Sequence, residues 1–297
     1  MNLHHTVLRT EAVGALNIKG QGAYIDATLG SGGHSSEIIS KLGSSNCFLG
    51  LDADQTALDA FIKKGVPKSE AQIYLECANF KDIRAVVEKH ELNNIQGILA
   101  DLGWRMEQFA EGGKGFSFQV SEPLHMTYGH PSDYPFTAHD VVNDWKEEDI
   151  ANVIYAYGEE RQSRKIAKAI VEARVEAPIV SSGQLAEIIA KAIKKNPKVR
   201  IHPATKTFQA LRIVVNDELD VVETFIDEAF SLLKPQDRLA IITFHSLEDR
   251  VVKHRFRSLK DDGQALLVNK KPITASTEEL ADNPRARSAK LRIIEKI

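Results

Sequence analysis

The chain has 297 residues, 43% of them hydrophobic, so it is long enough to bury a substantial core in one large domain or two. Its formal net charge of -3 argues against a general polyanion binder, although basic patches can still be local. The only cysteines, Cys47 and Cys77, have no neighbouring ligand pairs, so neither a disulfide framework nor a zinc site is predicted. No apolar stretch has the length of a membrane span or signal peptide, and we expect a cytoplasmic protein.

The first hundred residues alternate short apolar runs with helical patterns. The runs are AYIDATLG (23–30), NCFLGLDAD (46–54), AQIYLECANF (71–80) and IQGILADLG (95–103). Segments between them place apolar residues three and four positions apart, as one face of a helix requires. This alternation predicts βαβ units, and therefore an α/β fold with a parallel sheet.

The middle of the chain follows a different pattern. Residues 111–134 are rich in Gly, Pro, Ser and aromatic residues, and the segments 147–175 and 181–195 are clearly helical. The α/β pattern then returns, with predicted strands at 237–246 and 289–297. We therefore predict a core formed by 1–110 and 206–297, with an inserted, mostly helical subdomain at 111–205.

A glycine-rich turn follows the first predicted strand and precedes a helix. Its residues Gly30, Gly32 and Gly33 allow the backbone to approach a ligand closely, and Asp52 ends the second strand, where an acid commonly holds ribose hydroxyls. The pair indicates a nucleoside-containing cofactor, although such a turn is also a common connector. Position 35 is Ser35 rather than glycine and no phosphate-binding P-loop motif occurs, which disfavours an NAD-dependent oxidoreductase and an ATPase.

The fourth predicted strand delivers Asp101 to the edge of the sheet where open α/β folds bind ligands. Asp101 is a candidate functional acid, with a helix cap or turn former as the alternative. Trp104 follows three residues later. Its indole is suited to stacking on a planar substrate, with ordinary packing as the alternative.

His245 and Ser246 end the strand at 237–246, at the same edge of the sheet. A hydrolase triad is disfavoured, because adjacent side chains on a strand end point apart and no nucleophile-elbow motif is present. The alternative is a helix cap with Ser246 as N-cap and Asp249 three residues later. The histidines show no metal-binding spacing, so no metal site is predicted.

Two basic clusters are candidates for contact with phosphate groups. No acidic residue occurs between Glu187 and Asp217, and this interval contains Lys191, Lys194, Lys195, Lys198, Arg200, Lys206 and Arg212. The second cluster is NPRARSAKLR (283–292). Clustered cations flanking strand ends favour nucleic-acid contact, and a simply solvated surface is the alternative.

Taken in order, these motifs resemble the bacterial 16S rRNA (cytosine-N4)-methyltransferase H family, also called MraW. The resemblance spans nearly the whole chain and is carried by HTVL (5–8), IDATLGSGGHS (25–35), LDAD (51–54), DLG (101–103), GFSF (115–118), YGEER (157–161), HPATKTFQALRIVVNDEL (202–219), FHSLEDRVVK (244–253) and NPRARSAKLR (283–292). It implies a class I S-adenosylmethionine-dependent methyltransferase with a Rossmann-like sheet, whose inserted helical subdomain recognises the substrate. The implied reaction is N4-methylation of a cytidine in 16S rRNA of the small ribosomal subunit.

The resemblance also implies roles for individual residues. The family's cofactor contacts fall on Gly32, Gly33, His34, Asp52, Phe80, Asp101 and Gln108. Asp101 and Trp104 are the predicted catalytic residues, because an acid can accept a hydrogen bond from the target amine and an aromatic ring can stack on the base. The predicted substrate-binding residues are Tyr128, Lys206, Arg212, His245, Ser246, Arg285 and Arg287. We further expect the apolar helical part of 202–219 to pack on the sheet, and a homodimer is left open.

Two segments depart from the family pattern. Trp104, Arg105 and Met106 follow DLG where the family has small residues, and the segment PLHMTYG (123–129) replaces a more acidic family sequence. Three hypotheses remain: an active cytosine-N4 methyltransferase, a divergent paralogue with another acceptor, and a protein that binds cofactor and rRNA without transferring a methyl group.

Overall fold

The computed structural model describes residues 6–102, 113–193 and 201–297. The described chain forms two compact units: 6–102 together with 219–297, and 113–193 together with 201–218. Of the predicted site residues, Trp104 and Gln108 lie outside the described ranges. Among the described residues, no helix combines the length and apolar character needed to cross a membrane.

The first unit is built on a seven-stranded sheet. Its strands are β1 (Gly22–Asp26), β2 (Asn46–Asp52), β3 (Gln72–Cys77), β4 (Ile95–Asp101), β5 (Arg238–Thr243), β6 (Ala265–Leu267) and β7 (Lys290–Lys296). They lie in the order β3-β2-β1-β4-β5-β7-β6, and β7 pairs antiparallel to both of its neighbours while β1 to β5 are parallel. Each of the six predicted strands is present, and only the short β6 was not predicted.

Helices cover both faces of this sheet. They are α1 (Arg9–Ala15), α2 (Gly33–Ser40), α3 (Gln55–Lys64), α4 (Ile83–Lys89), α10 (Glu218–Leu232), α11 (Ser246–Asp261) and α12 (Thr277–Asp282). Two apolar clusters form the core: one contains Ile25, Ile98 and Phe225, and the other Tyr24 and Phe48. Adjacent residues of β1 belong to different clusters because successive side chains of a strand point to opposite faces. A strand buried on both faces explains why the sequence shows a continuous apolar run there.

The second unit is helical, as predicted. Its helices are α5 (Ala138–Asp144), α6 (Glu147–Gly158), α7 (Ser163–Glu176), α8 (Ser182–Ala192) and α9 (Thr205–Val215). They enclose a separate apolar core that includes Val141, Ile154, Ile170 and Ile189. Capping boxes begin α5 at Thr137 and α8 at Ser181, so local sequence signals fix where these helices start.

Helix α9 corrects one expectation. Its apolar face was predicted to pack on the sheet, but Phe208, Leu211 and Val215 are buried in the core of the helical unit. The Phe208 ring meets Phe118 edge-to-face at a centroid distance of 5.0 Å. The boundary at the end of the helical unit lies between residues 218 and 219, whereas the predicted boundary lay between 205 and 206. Amphipathic periodicity shows that a helix has a buried face but not which core that face enters.

We expect Phe208→Ala to lower the free energy of unfolding of the helical unit by about 3 kcal/mol or more, because it leaves a cavity in a closed core. Trp145 lies in this unit against Phe136, so its fluorescence in a Trp104→Phe background reports urea unfolding of the unit alone. The control Phe208→Leu should cost less than about 1.5 kcal/mol. An unchanged Trp145 transition in the alanine variant would contradict this packing.

Candidate active site

The candidate site lies at the carboxyl edge of the parallel strands. Asp26, Asp52 and Asp101 are the last residues of β1, β2 and β4, and pairing of these strands in parallel brings the three carboxylates to one edge. The chain order reverses between β1 and β4, which leaves a crevice at the point where open α/β sheets bind ligands.

Asp26 fixes the glycine-rich turn to the sheet. Its Oδ1 accepts a hydrogen bond from the Thr28 backbone N–H at 3.2 Å, and its Oδ2 accepts one from Ser35 Oγ at 2.6 Å. Burial raises the pKa of Asp26 to about 6, although the bonds from Ser35 and Thr28 oppose this shift. One buried carboxylate thus joins the end of β1 to the first turn of α2.

Gly32 shapes the turn through its backbone conformation. It adopts φ 74°, in the left-handed region that favours glycine, and a side chain there would place its Cβ 2.0 Å from the Phe61 ring. Gly33 then begins α2, whose first N–H groups lie at the sheet edge. The glycines thus let the turn pack closely against neighbouring side chains, and contact of this turn with a cofactor stays a prediction.

Asp52 supports the same turn from the second strand. Its Oδ2 accepts a hydrogen bond from the Gly30 N–H at 2.7 Å, and its Oδ1 accepts one from the Asp54 N–H at 3.0 Å. Two backbone donors hold the carboxylate at the end of β2, where the predicted ribose contact requires an acceptor. Phe80 lies just after β3, half-buried, with its ring edge-to-face on Phe225 at 5.2 Å.

Asp101 carries a buried polar atom at this edge that has no hydrogen-bond partner among the described residues. This atom is Oδ1, although the side chain as a whole is 25% exposed. Oδ2 lies 3.7 Å from Nδ1 of His34. Burial raises the pKa of Asp101 to about 6, while a charge on His34 acts in the opposite direction. A buried carboxylate oxygen without a partner is costly unless a ligand supplies a donor.

His34 is oriented by the segment that precedes α1. Its Nε2 lies 2.9 Å from the Val7 carbonyl oxygen, so this nitrogen carries the proton and donates to it. Thr28 Oγ1 accepts the Asp101 N–H at 2.6 Å and so ties β4 to the same turn. Sequence analysis singled out neither Asp26 nor Thr28 as a site residue. Their positions at the strand end and in the turn are the signals that indicate this supporting role.

His245 and Ser246 follow β5 at the same edge. His245, not Ser246, is the N-cap of α11: its Nδ1 accepts the Glu248 N–H, and Glu248 Oε2 accepts the His245 N–H. This corrects the predicted cap, because the helix begins one residue earlier than predicted and its third position is therefore Glu248. Asp249 instead pairs with Lys290 and Arg292 at 3.0 and 2.7 Å.

The other predicted substrate residues lie in two places. In the sheet unit, Arg285 and Arg287 are exposed on the 3-10 helix Pro284–Ser288, which leads into β7. In the helical unit, Lys206 donates from Nζ to the Glu159 carbonyl oxygen at 2.8 Å. Much of the basic interval at 191–200 lies outside the described ranges, since 194–200 are not included.

Tyr128 and Arg212 share a partner inside the helical unit. Arg212 forms a two-point ion pair with Glu218, with N–O distances of 2.7 and 3.0 Å, and the Tyr128 hydroxyl also donates to Glu218. The Tyr128 ring stacks on Phe116 at 5.5 Å, and its N–H donates to Asn216 Oδ1 at 3.0 Å. The described structure therefore shows Arg212 engaged with an acid, and its contact with substrate stays a prediction.

Comparisons with known proteins agree with this architecture. The MraW methylase family matches residues 1–297. A relative from Clostridioides difficile (strain 630), named ribosomal RNA small subunit methyltransferase H, is 41% identical over 100% of both chains. Proteins of the same name from Ruminiclostridium cellulolyticum and Brevibacillus brevis are 42% and 40% identical, covering 99% and 100% of this chain and 99% of each relative.

The match and the strand order confirm the predicted class I methyltransferase fold, with β7 antiparallel at one side of an otherwise parallel central sheet. They also confirm the prediction of an S-adenosylmethionine-dependent methyltransferase. The residues present fit that cofactor, because the glycine turn, Asp52 and the unpartnered Oδ1 of Asp101 converge on one edge. Full-length coverage at this identity leads to one conclusion: the chain belongs to the MraW methylase family.

Proposed function

We propose that this protein transfers a methyl group from S-adenosylmethionine to N4 of a cytidine in 16S rRNA of the small ribosomal subunit. The observation that carries the proposal is the buried Asp101 Oδ1 without a hydrogen-bond partner among the described residues, at the edge of a cofactor-type glycine turn. Relatives at 40 to 42% identity that are named small subunit rRNA methyltransferases support the choice of substrate.

The chain's residues divide the binding work between them. Gly32, Gly33 and His34 would hold the amino acid part of the cofactor at the start of α2, Asp52 its ribose, and Phe80 its adenine. Bound there, S-adenosylmethionine supplies an electrophilic methyl group on a sulfonium. No metal ion is required by this chemistry, so the protein's main task is to place the acceptor amine in line with the methyl group.

Asp101 acts on the acceptor. The lone pair of a cytosine exocyclic amine is delocalised into the ring, which makes it a poor nucleophile. An N–H donated to Asp101 Oδ1 orients the amine and favours the geometry in which its lone pair points at the methyl carbon. With the cofactor bound, methylation of the amine would release a proton from its nitrogen, and the carboxylate of Asp101 would take that proton. Trp104 stays the predicted stacking partner of the base.

The same proposal includes contact with RNA by the predicted substrate-binding residues, which are Lys206, Arg212, Tyr128, His245, Ser246, Arg285 and Arg287. Exposure supports it most directly for Arg285 and Arg287. Tyr128 and Arg212 also help to fix the conformation of the segment 126–129. Asn216 binds the backbone of Met126 and Tyr128, and Glu218 accepts a hydrogen bond from the Tyr128 hydroxyl. Location in the cytoplasm and assembly as a homodimer are further parts of the proposal, and sedimentation of the purified protein tests the latter.

The acceptor is tested by methyl transfer. Purified protein, tritiated S-adenosylmethionine and small subunits that lack this modification should yield label in N4-methylcytidine after nucleoside analysis. Subunits that already carry the modification are the control and should accept no label. Label in a different nucleoside would show another acceptor, and cofactor binding without any transfer to rRNA would reject catalysis on this substrate.

The role of Asp101 predicts a dependence on pH. Because burial raises its pKa to about 6, the acid is protonated below this value and no longer accepts the amine N–H. We expect kcat/KM to be constant well above pH 6 and to fall about tenfold for each unit below it, since kcat/KM reports the free enzyme. Initial rates between pH 4.5 and 8.5 measure this limb.

Two variants test whether Asp101 causes the fall of kcat/KM below pH 6, here called the acid limb. Asp101→Asn should lower the plateau of kcat/KM by about 10²- to 10³-fold and remove the acid limb. Asp26 also has a pKa raised to about 6, but its oxygens bind Ser35 and Thr28, so Asp26→Asn should retain the limb in whatever fraction folds. If Asp101→Asn keeps the limb and Asp26→Asn loses it, the assignment is wrong.

A further inference from the structure

The exposed face of α11 carries a row of basic side chains. Arg250, Lys253, His254 and Arg257 are all exposed and lie at positions i, i+3, i+4 and i+7 of the helix. This spacing places them on one stripe, which extends about 10 Å along the axis. The opposite face buries Val252, Phe256 and Leu259 in the core beneath the sheet, so the orientation of the stripe is fixed by packing.

A shallow cleft continues this stripe across to the edge of the sheet. It lies between α11 and the β6–β7 strands and is lined by Lys253, Phe256, Arg257, Leu267, Asn269, Lys270, Arg292 and Ile293. Four of the eight lining residues are cationic, and none is acidic. Asn269 is held in place because its Oδ1 accepts the Ile293 N–H at 2.8 Å and its Nδ2 donates to the Leu291 carbonyl oxygen at 2.9 Å.

The cations of the cleft fall into two groups. Arg292 donates to Asp249 at 2.7 Å, and Lys290 donates to the other oxygen of the same carboxylate at 3.0 Å. Burial opposes ionisation of Asp249, but these two hydrogen bonds lower its pKa, so this acid is already neutralised inside the protein. Lys253, Arg257 and Lys270, by contrast, form no hydrogen bond or ion pair with any described residue.

We propose that the cleft of Lys253, Arg257 and Lys270 is a second RNA-docking surface, which binds the phosphate backbone of the rRNA on the methyltransferase core itself. The proposal rests on the proposed function, since it takes small-subunit rRNA as the polyanion. Lys253 and Arg257 on α11 and Lys270 in the segment after β6 are three unpaired cations, and in a chain with net charge -3 they form a local excess that suits phosphates. Phosphate contacts of this kind position a nucleic acid without reading its bases.

The surface also fits the chemistry of an RNA backbone better than that of an acidic peptide. Lys253 and Arg257 lie one turn apart, about 6 Å along the axis of α11, and phosphates of one strand follow at about 3.4 Å along its axis, so these two cations span about two phosphate intervals. Asn269 serves a structural role in the cleft, because its Nδ2 donates to the Lys271 and Leu291 carbonyl oxygens and its Oδ1 accepts the Ile293 N–H.

The triple variant Lys253→Glu/Arg257→Glu/Lys270→Glu tests the proposal. We expect its KM for small subunits to rise about 10- to 50-fold near 0.15 M salt. For binding of labelled subunits, the slope of log association constant against log salt concentration should become smaller in magnitude by about 2 to 3. Its Kd for S-adenosylmethionine should match that of the wild type, because the cofactor residues are unchanged. Thermal unfolding of both proteins verifies that the variant is folded.

A matched control reverses the same number of charges at the other side of the sheet. Lys63 and Lys64 lie at the end of α3 and Lys68 lies shortly before β3, all exposed. The variant Lys63→Glu/Lys64→Glu/Lys68→Glu should change KM and the salt slope much less. If both triple variants behave alike within twofold, the surface is rejected. If the wild type binds subunits but transfers no methyl group, the proposed function is rejected. Comparison of the salt dependence of binding between the wild type and the two variants then still tests the docking surface.

Discussion

The buried carboxylate of Asp26 is the constraint on which the rest of the candidate site depends. It lies at the end of β1 and receives a hydrogen bond from Ser35 in the first turn of α2. The glycine turn between them therefore has both of its ends fixed to one side chain. Asp52 then binds Gly30 in the middle of the turn, and Thr28 binds the backbone of Asp101. Through these short bonds, three neighbouring strands present their carboxylates as one preorganised edge.

This arrangement separates acids that support the site from an acid that is available to react. Asp26 and Asp101 both have a pKa raised to about 6 by burial, yet only Asp101 has an oxygen without a hydrogen-bond partner in the described structure. Both oxygens of the supporting acid, Asp26, accept hydrogen bonds from residues of the turn and of α2. Asp101 Oδ1 is available to accept a hydrogen bond from a substrate. His34 lies close to Asp101 Oδ2, and a charge on His34 opposes the rise of the Asp101 pKa.

The sequence predicted strands and turns well because their signals are local. Apolar runs ending in Asp26, Asp52 and Asp101 mark strands of a parallel sheet, and glycines mark the turn that follows β1. The sequence did not predict the core that α9 enters, because Phe208 and Leu211 give a buried face whose partner is set by tertiary packing. It also placed the cap of α11 one residue late, since a histidine ring replaced the more usual serine as the capping acceptor.

The basic residues show why charge counts along a sequence give an incomplete account of nucleic-acid binding. The interval around 202–219 is rich in cations, but Arg212 is paired with Glu218 and Lys206 donates to a backbone carbonyl. In the second cluster, Lys290 and Arg292 share Asp249, whereas Arg285 and Arg287 are exposed. On α11 the acids at the start of the helix pair with His245, Lys290 and Arg292, whereas Lys253 and Arg257 further along form no ion pair with a described residue. Ion pairing within the fold thus decides which cations remain for phosphate, and a slightly acidic chain can still present a concentrated positive surface.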